Sequence, residues 1–190
     1  TSADKGVNVP WAYDTLARMF NRVVTYLYLF TFGLVCLGMF LLSVSCWVLT
    51  RPFSRRLVFL HTIARYWSWL AMLLMPMWSI RVEYPSDLDR KRPYVIVSNH
   101  QSMLDIAVGY LLPLSFKWVA KAELFRIPVI GWNMSLNRYI AIKRGTHEGI
   151  RMMLSECAKT LNDGSSVFIF PEGTRSEDGT IRSFRKGAFA

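Results

Sequence analysis

Metal-ligand spacing is what this sequence most clearly lacks. Its three cysteines, Cys36, Cys46 and Cys157, form no CxxC pair, and two of them sit inside an apolar run. They read as small buried hydrophobes rather than ligands. His61, His100 and His147 lie far apart and no HExxH occurs, so no metal site is expected. Acidic residues are scarce too, 13 against 23 Lys and Arg, for a formal net charge of +10. That balance suits an anionic partner such as phospholipid headgroups or a phosphate-bearing substrate. Nucleic acid is not expected, because no basic tract with interleaved aromatics stands apart from the apolar runs. Internal repeats and low-complexity tracts are missing. So is a small-residue cleavage site after the first apolar run, which also lies too deep in the chain for a signal peptide.

Apolar and aromatic residues are abundant instead. Hydrophobic types make up 52% of the chain, which points toward a membrane. Val23 to Leu49 carries no charge. At ~1.5 Å per residue that stretch gives a helix of roughly 40 Å, enough to cross a ~30 Å hydrocarbon core with tilt. Arg51, Pro52, Arg55 and Arg56 stop it, and Arg18 and Arg22 flank its other end, so the orientation signal is weak. A second charge-free stretch, Tyr66 to Ile80, reaches only roughly 22 Å at the same rise. With Trp67, Trp69, Trp78 and the breaker Pro76, it reads as a re-entrant or interfacial helix that packs against the first. Residues 1–80 therefore read as a membrane-associated two-helix segment.

From Arg81 the pattern becomes α/β, so residues 81–190 read as a second domain. Short apolar runs at Tyr94–Ser98, Phe116–Ala120, Tyr139–Ile142 and Val167–Phe170 read as buried strands. Helices are expected over Ser102–Leu112 and Lys121–Arg126. Another follows Thr146, where Ile150, Met153, Leu154, Cys157 and Leu161 share one face, and Asn162-Asp163-Gly164 closes it. Strands alternating with helices predict a mostly parallel sheet covered by helices.

Chemistry-bearing residues gather after these strands, where open α/β sheets bind ligands. His100 follows the first, and Asp105 lies one helical turn further on, with Ser102 as the expected helix cap. A carboxylate beside a histidine fixes its tautomer and stabilises the imidazolium, which makes a general base. Lys121 follows the second strand, and Lys143 and Arg144 follow the third. Glu172, Gly173, Thr174, Arg175 and Ser176 follow the fourth: Gly173 permits a tight turn, and Arg175 offers a planar fork for phosphate oxygens. Taken singly, each is also explained as a cap, a turn or a solvated face. Gathered at one sheet edge, they describe a base next to a phosphate-bearing substrate.

His100-x4-Asp105 followed by Phe170-Pro-Glu-Gly-Thr-Arg-Ser176 resembles the glycerolipid acyltransferase family, most closely its bacterial-type 1-acylglycerol-3-phosphate acyltransferases. Lys121-x-Glu123-Leu124, Pro128, Gly131, Arg144 and Phe184-Arg-Lys-Gly-Ala-Phe189 extend the resemblance from about Arg81 to the end. It departs at Lys143, where members often have an acidic residue. The family's last, proline-containing motif is not in the sequence, so the reading takes 81–190 as C-terminally incomplete.

The resemblance implies an enzyme that moves a fatty acyl group from a thioester to the free hydroxyl of lysophosphatidic acid, giving phosphatidic acid. His100 would be the base, and Asp105 would orient it. Glu172, Gly173, Thr174, Arg175, Lys121 and Arg144 would bind the acceptor. Acyl-CoA or acyl carrier protein would be the donor, with no cofactor. The expected location is a membrane: the bacterial inner membrane with the catalytic domain facing the cytoplasm, or the endoplasmic reticulum in a eukaryote. Alternatives are another lysophospholipid or glycerol 3-phosphate as acceptor, and, in a different class, a non-catalytic membrane-anchored lipid-binding module.

Overall fold

A computed structural model of the chain describes residues 11–54, 56–73, 80–176 and 179–185, with backbone alone over 11–17. Residues 1–38 and 39–190 form two units. Helix α1, Trp11–Thr50, contains the charge-free run. Its portion Arg18–Thr50 is long and apolar enough to cross a membrane by length and composition. Within the first unit Tyr26, Leu27, Leu29, Phe30 and Leu34 are all exposed. A helix apolar all round is stable where lipid replaces water. Its hydroxyls suit that setting too, since Thr25 donates to the Asn21 carbonyl and Ser45 to that of Leu41. Both hydroxyls are thereby satisfied within the helix.

The second unit holds a four-stranded, all-parallel sheet in the order β1-β4-β2-β3. The strands are β1, Val95–Val97; β2, Phe116–Lys121; β3, Ile140–Ile142; and β4, Ser166–Ile169. All four expected strands are present within a residue or two. β4 is buried at every position, as a central strand covered on both faces must be. On one face Phe116, Trp118 and Phe168 pack with Tyr110, Tyr139 and Ala64. On the other, Ile140, Val167 and Ile169 pack with Met153, Leu154, Cys157 and Leu161. The period-2 alternation of side chains sends these two sets to opposite faces.

Helix α2, Val58–Leu73, begins well before the expected stretch. It docks on helix α3, Leu104–Gly109, and on the loop that follows. Arg65 donates to the carbonyls of Tyr110, Leu112 and Leu114, at 3.0, 2.7 and 3.2 Å. Ser68 donates to the Ala107 carbonyl. The sequence boundary at residue 80 does not register these contacts, which tie α2 to the sheet domain. Trp67 and Trp69 lie in α2, whereas Pro76 and Trp78 lie outside the described residues.

Two further α-helices stand among the described residues of the unit. Helix α4, Ile130–Leu136, lies in a stretch to which the sequence reading assigned no element. Helix α5, His147–Asn162, is the expected amphipathic helix. Thr146 caps it by accepting from the Gly149 N–H, and Gly164, at φ 76°, ends it in a left-handed turn. The expected Lys121–Arg126 helix is a 3-10 segment, Ala122–Arg126.

Candidate active site

Because all strands are parallel, their C-terminal ends share one edge. His100 follows β1, the Pro171–Ser176 turn follows β4, Lys121 ends β2 and Arg144 follows β3. The strand order brings the histidine turn next to the Glu172 turn, with the cations of β2 and β3 further along.

His100 Nδ1 lies 3.0 Å from Asp105 Oδ2. The same oxygen accepts the N–H groups of Gln101 at 2.7 Å and Ser102 at 2.8 Å. Burial alone would push the Asp105 carboxyl up. Bonds from the Ser102 N–H, the His100 ring and the Gln101 N–H outweigh it and hold the carboxyl below its ordinary value. Asp105 is thus a fixed anion at the head of α3. The Phe170 ring stacks on the imidazole at 4.0 Å between centroids and 14° between planes. With Nδ1 on the carboxylate and the ring plane held, Nε2 is the nitrogen left to take a proton.

Ser102 departs from its expected role. The helix starts at Leu104, and the Ser102 hydroxyl accepts the Leu104 N–H at 3.1 Å, two residues on. It braces the turn instead of capping the helix in the usual register.

Glu172 is 3% exposed. One carboxylate oxygen accepts the His100 N–H at 3.0 Å, and the other accepts the Arg182 N–H at 3.4 Å. The Ser176 N–H in turn donates to the His100 carbonyl at 2.9 Å. Both backbone polar groups of His100 therefore bond to the Glu172 turn. Spacing alone does not reveal this link, since the two residues stand 72 positions apart.

Thr174 and Arg175 are exposed beyond this buried base, as are Lys121 and Arg144. Lys121 lies 3.9 Å from Glu123, a weak pairing at the surface. Sequence reading gave Arg185 no role. Its guanidinium lies over Gly173, which stands at φ 71° with no room for a side chain beneath that group. Partial burial lowers the Arg144 pKa, and the charge of Arg185 lowers it further. The signal for Arg185 in the sequence is its place in the Phe184-Arg-Lys-Gly-Ala-Phe189 stretch that carries part of the resemblance. Of the other histidines, His61 is buried against Tyr110 and Phe116, and burial, helped by Arg65 and Lys117, lowers its pKa to about 3. It is a neutral core residue. His147 is exposed at the start of α5. Among the described residues no group of acidic, histidine and cysteine side chains could hold a metal ion.

A parallel α/β domain that sets an oriented imidazole beside a row of cations places the chain in a class by its geometry: domains whose sheet edge is able to do base chemistry on an anion. The family is narrower. A family model described as Acyltransferase matches residues 79–190, more than half of the chain, and the chain belongs to that family. It is 42% identical over 139 residues to the 1-acyl-sn-glycerol-3-phosphate acyltransferase LPAT1, chloroplastic, of Arabidopsis thaliana, covering 73% of this chain and 38% of that protein. It is 40% identical over 96 residues to the 1-acyl-sn-glycerol-3-phosphate acyltransferase of Helicobacter pylori, covering 50% of this chain and 40% of that protein. The chain thus spans about two fifths of the length of these relatives. The crystal structure of the 1-acyl-sn-glycerophosphate (LPA) acyltransferase PlsC from Thermotoga maritima shares the fold, with a TM-score of 0.59 at 23% identity. That match covers 82% of this chain and 66% of that one.

Proposed function

We propose that the protein is a membrane-bound acyltransferase that esterifies the free hydroxyl of lysophosphatidic acid, with acyl-CoA or acyl carrier protein as donor. The observation that carries this reading is the 3.0 Å His100–Asp105 pair beside the cations of the same sheet edge. The names of the relatives support the choice of acceptor.

In this reading His100 Nε2 takes the acceptor hydroxyl proton as the oxygen attacks the thioester carbonyl. The tetrahedral intermediate collapses, the carbon–sulfur bond breaks, and the thiolate leaves with the proton from the imidazolium. Asp105 keeps Nδ1 protonated and stabilises the transient cation. Positioning plus one base suffices because a thioester is already an activated acyl group. Arg175, Arg144, Lys121 and Thr174 hold the phosphate and glycerol of the acceptor, while Gly173 makes room for the Arg185 side chain that covers it. Helix α1 keeps the domain at the membrane that supplies the acceptor, on the side where acyl thioesters are made.

The test is thiol release from acyl-CoA by the full-length protein, with and without lysophosphatidic acid. H100A should abolish acceptor-dependent release. Survival of that release would remove His100 from the chemistry. A panel including other lysophospholipids and glycerol 3-phosphate identifies the acceptor. No release with any donor or acceptor would favour a non-catalytic lipid-binding module.

A further inference from the structure

A cavity lies at the opposite end of the sheet from His100. It has a volume of about 410 Å³ and is lined by the last turns of α1 and by α4. His100 follows the C-terminal end of β1, whereas Arg138 precedes β3, so in a parallel sheet the two stand at opposite edges. The cavity is therefore separate from the candidate active site.

Two guanidiniums line it, Arg51 and Arg138, and among the described residues no carboxylate does. Arg51 directly follows α1 and stacks over the Trp47 ring at 4.7 Å. Across the cavity Trp132 of α4 meets Phe40 of α1, at 5.8 Å between ring centroids. Trp132 is half exposed, at 51%. Tryptophans and arginines at the end of an apolar helix are the chemistry of the headgroup layer of a bilayer.

Arg138 supplies an independent observation. It stands at φ 54°, in the left-handed region. Its N–H donates to the Ser135 carbonyl and the Tyr139 N–H to that of Met134, which closes α4 in a Schellman motif. Helix α5 ends in the same motif, where Gly164 holds the corresponding place at φ 76°. Glycine is the residue this turn favours, and an arginine there is strained. Strain of this kind persists where the side chain has a use. Here the side chain lines a cavity with a second arginine.

We propose that this cavity binds one anionic phospholipid, its phosphate between Arg51 and Arg138 and its glycerol and first methylenes against Trp47, Trp132, Phe40 and Leu136. The site is a fixed lipid contact beside the membrane helix, and it does not depend on the acyl-transfer reading. The volume suits a headgroup and glycerol rather than a whole lipid, whose chains would continue into the bilayer.

Native mass spectrometry of the full-length protein in detergent tests it, with dioleoyl phosphatidylglycerol, dioleoyl phosphatidylcholine or inorganic phosphate added. Retention of one phosphatidylglycerol should exceed that of phosphatidylcholine at least tenfold, and inorganic phosphate should not be retained. R51Q and R138G should each reduce retention at least tenfold, with kcat on soluble donor and dispersed acceptor unchanged. R138G should keep or raise the melting temperature of the lipid-free protein, because glycine relieves the turn. Equal retention of the two lipids, or undiminished retention in the R51Q/R138G double variant, would overturn the proposal. So would loss of retention in R144Q but not in R138G, which would assign the lipid to the active-site edge.

Discussion

Glu172 is the residue whose position says most about how the site works. A carboxylate at an acceptor-binding edge is expected to face substrate, yet this one is buried and bonded to two backbone N–H groups. In the proposed mechanism it is therefore a positioning residue for His100. E172Q keeps the shape but turns an amide N–H toward one of those donors, which shifts the histidine turn. Displacement of a catalytic group by about 1 Å can cost on the order of a hundredfold. E172Q is expected to lower kcat by about ten- to a hundredfold with little change in acceptor KM. A raised KM at unchanged kcat would instead place Glu172 on the acceptor. Asp105 gives a pH signature. Its folded pKa is depressed, so the stability it contributes is complete above the ordinary carboxylate pKa and is lost as pH falls through the folded value. In melting curves at stepped pH, the gap between wild type and D105N should be constant near neutrality and close below about pH 4. A gap unchanged down to pH 3 would contradict the hydrogen-bonded assignment.

At the scale of elements, α2 carries the docking. Its Arg65 satisfies three carbonyls after α3 that would otherwise lose their donors. R65A should destabilise the protein by about 2–3 kcal/mol, read as a lower denaturant midpoint. R65K should recover only part of this, since an ammonium lacks the fork that spans several carbonyls. The elements also show what a sequence discloses. The strands were legible because a parallel sheet covered on both faces demands short, continuous apolar runs such as Val167–Ile169. Thr146, Gly164 and the apolar stripe from Met153 to Leu161 marked α5 as plainly. Helix α4 stayed hidden because Pro128 and Gly131 break the pattern, and its ending at Arg138 uses an arginine where glycine is the usual sign. The start of α2 was hidden by His61 and Arg65, polar residues that interrupt its apolar run yet are satisfied or neutral inside the fold.

For the whole molecule, the candidate site was legible as a gathering and not as a mechanism of assembly. Parallel topology alone puts the residues after each strand on one edge, so His100, Lys121, Arg144 and Arg175 could be grouped from their order in the chain. What joins the His100 turn to the Glu172 turn is backbone hydrogen bonding, largely to side chains, which leaves no mark in spacing or hydropathy. Glu172 and Arg182 were invisible in those roles for that reason. The N–H groups of His100, Gln101 and Ser102, consecutive in an irregular turn, are all held by carboxylates, the first by Glu172 and the next two by Asp105. Surface turns ordinarily trade their amide hydrogens with solvent quickly. This one should not. In deuterated buffer these three amides should exchange on the timescale of the β4 core, because freeing His100 requires parting segments 72 residues apart. Exchange as fast as in the Asp87–Arg92 turn would mean that the histidine turn opens on its own.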